Sequence, residues 1–223
     1  MPKDILFLHE DERFLVVDKP SGIVVIPSPK REKNTVTSLV NEQKGGVQEY
    51  GKLHPCHRLD AETSGCLIFA KGKRNQQVMM KLFREKKIYK RYIALIHGRI
   101  DPSCGTLRDR ITPFRLPRGR YSQQAYDAVT KYKTLEIREQ FSILEAEPLT
   151  GKTNQIRIHF AQKGCPIVGE RKYAVAKRFP IRCRRVALHA KEVRWPDPDT
   201  GTIVRVQSQL AKDMEVFCDR SAN

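Results

Sequence analysis

At 223 residues with a formal charge of +17, the chain can bury one sizeable core and carries far more cation than solubility needs, which favours a polyanionic partner. No run approaches the roughly 18 apolar residues of a membrane helix, and Met1-Pro2-Lys3-Asp4 opens without the apolar stretch of a secretory leader, so a cytoplasmic protein is expected. Cysteines at 56, 66, 104, 165, 183 and 218 form no Cys-x-x-Cys pair, which favours a reduced setting over a disulfide scaffold and gives no reason to expect a metal site.

In chain order, Phe14 to Val17 reads as a strand closed by the turn Asp18-Lys19-Pro20-Ser21-Gly22. Ile23 to Ile26 reads as a second short strand, broken by Pro27 and Pro29, and Lys30 to Lys33 as a polar loop. Thr35 to Val40 begins a short helix that Lys44-Gly45-Gly46 ends. Cys66 to Ala70 has the unbroken apolar character of a buried strand. Asn75 is expected to cap the next helix, whose Val78, Met79, Leu82 and Phe83 share a core-facing side. Tyr89 to Gly98 alternates as a strand.

A loop-rich region marked by Pro102, Gly105, Pro113, Pro117 and Gly119 is expected next, followed by strands around Ala125 to Tyr132 and Phe141 to Glu147. From Thr153, a hydroxyl cap with Ile156 and Phe160 four residues apart predicts a short helix ending at Gly164, although Ile156, Ile158 and Phe160 also alternate as a strand would. A basic cluster, Lys177, Arg178, Arg182, Arg184 and Arg185 with Phe179 among them, precedes strands at Val186 to Trp195 and Thr202 to Val206. Short strands outnumber helices, and the fold class is mixed α+β with a largely antiparallel central sheet.

The stretch His57-Arg58-Leu59-Asp60-Ala61-Glu62-Thr63-Ser64-Gly65 concentrates chemistry just before a strand. Asp60 there can serve as a nucleophile or base, with the nearby hydroxyls and amides fixing it, or can merely cap a turn. Arg157 lies among apolar residues, where a guanidinium needs a phosphate or a carboxylate; Asp60 is one candidate partner and another structural acid the alternative. Tyr92 can stack on a nucleobase or pack in the core, and Lys86, Lys87, Lys90 and Arg91 near it add charge suited to nucleic acid. Gly151-Lys152-Thr153 lacks the earlier glycine of a phosphate loop, which argues against ATP. The histidines define no acid-base set: His57 is placed to organise the Asp60 loop, and His159 and His189 read as structural.

His57 to Gly65 resembles the His-Arg-Leu-Asp-x-x-Thr-Ser-Gly motif of the RluA-type RNA pseudouridine synthases. The likeness runs from Asp18-Lys19-Pro20-Ser21-Gly22 through Tyr92-Ile93-Ala94, Thr150 to Phe160 and Pro166-Ile167-Val168-Gly169 to Leu188-His189-Ala190. It implies a single catalytic domain over residues 1–223, either undivided or as two abutting sublobes, with RNA in a central cleft and neither metal nor organic cofactor. With 13 residues ahead of Phe14, no separate S4 domain is expected.

The resemblance assigns catalysis to Asp60, base packing to Tyr92 and a place beside the carboxylate to Arg157. It gives Arg58 substrate placement and base extrusion; His57, Thr63, Lys90, Arg91 and Arg185 complete the expected RNA-binding set. The implied partner is a structured transfer or ribosomal RNA with a flipped uridine, bound by a monomer that needs no protein partner and no membrane. A non-catalytic RNA-binding or chaperone protein of the same fold is the alternative. The departures are local: Asn154 stands where a histidine is usual, Lys152 where an arginine is common, and Trp195-Pro196-Asp197-Pro198 alters the usual ending.

Overall fold

A computed structural model describes residues 4–27, 34–45, 52–112, 125–174, 179, 181 and 183–220. Pro29, Lys30 to Lys33, Gly46, Pro113, Pro117, Gly119, Lys177, Arg178 and Arg182, singled out above, lie outside them. The chain divides into two compact units, one of residues 1–90 with 189–221 and one of residues 91–188.

The first unit begins with β1 (Leu6–Glu10) and β2 (Phe14–Lys19), followed by α1 (Val36–Gln43), β3 (Leu53–Pro55), β4 (Ser64–Lys71) and α2 (Gly72–Arg84). Strand β2 pairs antiparallel with β1 and β4, and β3 also pairs antiparallel with β4. Every residue of β4 is buried, as its apolar run predicts, because both faces of the strand are covered. Its other edge takes β9 (Leu188–Pro196) in parallel through Ser64↔His189 and Gly65↔Ala190, and β10 (Ile203–Gln207) pairs antiparallel with β9. Phe14, Val16, Ile68, Met79, Trp195 and Val206 belong to the core of this unit, with Trp195 edge-on to Phe14 at 6.2 Å.

Two local expectations fail here for identifiable reasons. Ile23 to Ile26 is not a strand. Ile23 and Val25 are buried, but the carbonyls of Val24 and Val25 accept the amides of Val36 and Thr37, so this segment satisfies the exposed donors at the start of α1. Asn75 does not cap α2, which already starts at Gly72; its Nδ2 donates back to the Lys71 carbonyl at 2.8 Å. α1 forms where expected, with Thr35 and Ser38 in a reciprocal capping box. A terminal helix, α4 (Lys212–Arg220), completes the unit and has no counterpart among the expected elements.

The second unit contains most of β5 (Tyr89–His97), then β6 (Cys104–Ile111), β7 (Tyr126–Ile137), β8 (Phe141–Pro148) and α3 (Gln155–Gln162). The strands form an antiparallel meander in which β8 lies between β5 and β7, and β7 pairs with β6. α3 covers one face, with Ile158 against Ile111 and Ala128 and Phe160 edge-on to Tyr132 at 6.0 Å. β6 occupies part of the stretch expected to be loop. Thr153 is not the cap of α3: Asn154, left-handed at φ 56°, takes that position without a side-chain cap bond, and helix rather than strand is the outcome. Among the described residues, every strand pairing within either unit is antiparallel except β4 with β9, so the fold is mixed α+β with a largely antiparallel sheet and flanking helices.

Candidate active site

Asp60 sits on a turn held from beneath by a buried cation. Lys19, fully buried at the end of β2, donates from Nζ to the carbonyls of Pro20 at 2.9 Å, Ala61 at 2.9 Å and Thr63 at 2.8 Å. The Gly22 amide also donates to the Ala61 carbonyl at 2.8 Å, and the Thr63 amide to the Asp60 carbonyl at 3.1 Å. The Asp18-Lys19-Pro20-Ser21-Gly22 and Asp60 motifs are therefore one structure. A buried ammonium is tolerated because charge-assisted bonds to carbonyls replace its water.

Around that turn, Leu59 and Thr63 are buried, Asp60 is half-buried and Arg58 is exposed. The short spacing thus buries Leu59 between a half-buried Asp60 and an exposed Arg58. Ser64 Oγ is hydrogen-bonded to His189 Nδ1 at 2.9 Å. Gly65, at φ +105°, lies so close to β9 that a Cβ would stand 2.3 Å from the Ala190 carbonyl oxygen; the glycine is what lets the two strands meet.

His57 serves the scaffold. Its Nε2 accepts the Ile68 amide at 3.1 Å and its ring lies 5.4 Å from that of Phe83. Burial, with Lys90 adding to it, pushes its pKa down to about 3, in keeping with an unprotonated ring nitrogen acting as acceptor. Lys90 is itself half-buried and held below the usual lysine range by burial. The structural roles expected of His159 and His189 are those observed: both are fully buried, and His159 Nδ1 bonds to Thr130 Oγ1 at 2.9 Å.

The second unit carries Tyr92 and Arg157. Tyr92 is 9% exposed on β5, opposite Ala146 of β8. Arg91 beside it pairs through Nη1 with Glu145 at 3.0 Å. Ahead of α3, Gln155 ties the Thr150 to Asn154 loop to β7: Oε1 accepts from Thr150 Oγ1 at 2.6 Å and the Lys152 amide at 3.0 Å, while Nε2 donates to the Val129 carbonyl and Thr130 Oγ1, both at 2.9 Å.

Arg157, in the first turn of α3, meets an acid that the sequence reading did not single out. Its Nε and Nη2 donate to Glu170 Oε2 at 2.7 Å and Oε1 at 3.0 Å, a bidentate pair with the carboxylate fully buried. Burial pulls Glu170 upward, but the hydrogen bonds and charge of Arg157 outweigh it and hold the carboxyl below its usual range. Oε1 also accepts the amides of Lys172 at 2.7 Å and Tyr173 at 3.1 Å. Asn154 closes the network, accepting from Arg157 Nη1 at 3.0 Å and donating to the Tyr173 hydroxyl at 2.9 Å. The signal available in the sequence was position alone: Glu170 directly follows Pro166-Ile167-Val168-Gly169.

Arg185 departs from its expected place on the RNA side. It is 6% exposed, and its Nη1 donates to the carbonyls of Val186 and Leu188, both at 3.1 Å. Its guanidinium pins the chain entering β9 instead of standing in solvent to meet a phosphate. Nearby, Gly169 at φ +84° accommodates the Arg185 carbonyl oxygen, which a Cβ would approach to 2.0 Å. Of the expected RNA-binding residues, then, Arg58 is the exposed one; His57 and Thr63 shape the turn, Lys90 is half-buried and Arg91 is paired. Among the described residues, no group of three or more His, Cys, Asp and Glu is placed to hold a metal, and no helix is long and apolar enough to cross a membrane.

The family model described as RNA pseudouridylate synthase matches residues 13–162, a span that includes both Lys19 and the Asp60 turn, Tyr92 and Arg157. The chain belongs to this family. YhcT of Bacillus subtilis, called an uncharacterized RNA pseudouridine synthase, is 32% identical over 222 residues, covering 96% of this chain and 71% of its own. The ribosomal large subunit pseudouridine synthase C of Pasteurella multocida is 32% identical over 224 residues, covering 96% of this chain and 67% of its own. Among solved structures, human RNA pseudouridylate synthase domain containing 4 superposes with a TM-score of 0.80 at 25% identity, covering 97% of this chain and 93% of that one. This pseudouridine synthase is accordingly an RNA-modifying isomerase.

Proposed function

We propose that the chain isomerises a uridine of a structured transfer or ribosomal RNA to pseudouridine, with Asp60 as the catalytic carboxylate. The observation that carries this reading is the Lys19 clamp, which fixes by main-chain atoms the turn on which half-buried Asp60 sits. A rigid carboxylate beside an exposed arginine suits a reaction on an extruded nucleotide, where orientation supplies much of the rate.

In the reaction the N1–C1′ bond of the uridine breaks, the retained uracil turns, and C5 bonds to C1′ of the same ribose. The C5 proton leaves and N1 gains one, so the RNA keeps its mass. Asp60 acts at the ribose, and both attack on C1′ and removal of the C2′ proton begin from its carboxylate. Arg58 assists base extrusion, Tyr92 packs against the base, and Arg157, held by Glu170 and Asn154, serves the same reaction. The name of the Pasteurella multocida relative supports ribosomal RNA within this range. The cytoplasmic setting expected from the sequence belongs to the same proposal.

Purified protein should form pseudouridine in transcribed transfer or ribosomal RNA without added metal or nucleotide. Asp60→Asn should lower turnover by on the order of 10⁴-fold or more while a folded variant still binds RNA. Pseudouridine formation near the wild-type rate by folded Asp60→Asn would overturn the assignment. Pseudouridine-sensitive sequencing of RNA from a deletion strain, restored by the wild-type chain but not by Asp60→Asn, would identify the target position.

A further inference from the structure

Among the described residues, a concentration of positive charge lies on α2 and the residues that follow it. Nine of the 21 residues from 71 to 91 are Lys or Arg, against 42 of 223 in the whole chain, and only Glu85 among them is acidic. Lys73, Arg74, Lys81, Arg84, Lys86 and Lys87 are all exposed. At 100° per residue, Lys73 and Arg84 fall on one line along α2 and Arg74 and Lys81 on a second beside it, a basic stripe about 16 Å long. Glu85 offsets only part of it, lying 2.8 Å from Lys87 and 3.8 Å from Lys81.

The opposite side of α2 is committed to the first unit. Met79 and Leu82 enter the core, Phe83 meets the ring of His57, and Gln76 Nε2 donates to the Pro55 carbonyl at 2.8 Å. The helix is therefore fixed against the segment that leads directly to Asp60, with its cations turned outward.

A second observation is independent of the charge count. Lys86 has φ +56°, the left-handed conformation that glycine adopts without steric conflict, in the position where the chain leaves α2. The Lys86 amide donates to the Phe83 carbonyl at 3.1 Å and the Lys87 amide to the Leu82 carbonyl at 3.0 Å, a helix-ending pattern for which glycine is the favoured residue. A lysine kept there gives up backbone ease for a cation at the end of the stripe.

We infer that the solvent face of α2, with Lys86 and Lys87, is a second RNA-binding surface that grips the phosphates of a base-paired segment flanking the target uridine. Its exposed residues are cations, Gln77, Glu85 and Met80, with no aromatic ring on which unpaired bases would stack, so the chemistry fits a duplex backbone rather than a single strand. The inference rests on the RNA-modifying activity and not on which RNA is modified.

The test compares two fluorescein-labelled RNAs, one uridine-containing loop on a long base-paired stem and the same loop as a single strand. The wild-type protein is set against a variant with Lys73, Arg74, Lys81 and Arg84 all changed to Gln, and against Lys86→Gly. The quadruple variant should melt as the wild type does and bind the single strand equally well. On the long stem it should bind more weakly, with the dependence of log Kd on log salt shallower by about 1 for each phosphate contact removed. Turnover at saturating RNA should be kept. Lys86→Gly should melt higher yet bind the long stem more weakly. Unchanged affinity and salt dependence on the long stem, or an equal loss on both RNAs, would overturn the inference. Loss of turnover by the wild type on every RNA would instead strike the functional reading and leave the binding comparison standing.

Discussion

In the first unit a buried cation, Lys19, holds main-chain carbonyls of the turn that carries Asp60. In the second a buried anion, Glu170, holds the guanidinium of Arg157 together with the amides of Lys172 and Tyr173. The first device acts on a path of backbone through main-chain carbonyls. The second grips the side chain of Arg157 itself. The turn should therefore depend on the clamp for its shape, whereas the Arg157 site should depend on Glu170 chiefly for its charge.

Removing the first clamp should have the larger effect. Lys19→Met leaves the carbonyls of Pro20, Ala61 and Thr63 without a charged donor in a fully buried place, and a loss of about 3 to 5 kcal/mol is expected in denaturant unfolding, with turnover falling as the turn loosens. A wild-type unfolding midpoint would end the claim that Lys19 organises the turn. Glu170→Gln keeps the side-chain shape and a carbonyl for the two amides, but leaves the Arg157 charge without its buried counter-ion; about 2 to 3 kcal/mol is expected. The comparison sharpens if this variant loses turnover beyond its loss of stability and Glu170→Asp restores part of it. If Lys19→Met proved the milder change, the contrast between backbone and side-chain control would be reversed.

The third effect concerns pH. An unfolded histidine titrates near 6.5 and His57 is pushed down to about 3, so between those values the unfolded chain holds the extra proton. Stability therefore falls as pH drops below 6.5 and this contribution is fully lost near 3, at no more than about 1.4 kcal/mol per pH unit from one group. His54, His97 and His159 are lowered by burial and add slope of the same sign. His57→Gln, whose side-chain carbonyl can still accept the Ile68 amide, should flatten the melting temperature between pH 6 and 4 relative to wild type, as measured by thermal denaturation. An unchanged slope would remove His57 from the account.

The contrast between the units also separates what the sequence revealed from what it concealed. The Asp60 motif was legible because its residues are consecutive and chemically unusual together. Glu170 was not, since an acid followed by Arg171 and Lys172 reads as a solvated surface charge until the fold buries it. β6 escaped for a similar reason: its inward residues are Gly105, Leu107, Asp109 and Ile111, so a glycine and an acid interrupt the alternation that announces a strand. Ile23 to Ile26 misled in the other direction, because its apolar residues are buried while its carbonyls serve the start of α1. Arg185 looked like one cation of a basic cluster, and only the carbonyls around it show its internal use.

The parallel pairing of Ser64 and Gly65 with His189 and Ala190 has a consequence for biosynthesis. The entire second unit is translated between these partners, so β4, buried along its whole length in the finished protein, leaves the ribosome well before β9 exists to cover its edge. A nascent chain in that interval presents Ser64 and Gly65 at the start of β4 without their β9 partners, the kind of open edge that recruits chaperones or a second nascent chain. Assembly around the proposed catalytic turn is in this sense a late event, completed only after His189 and Ala190 have been made.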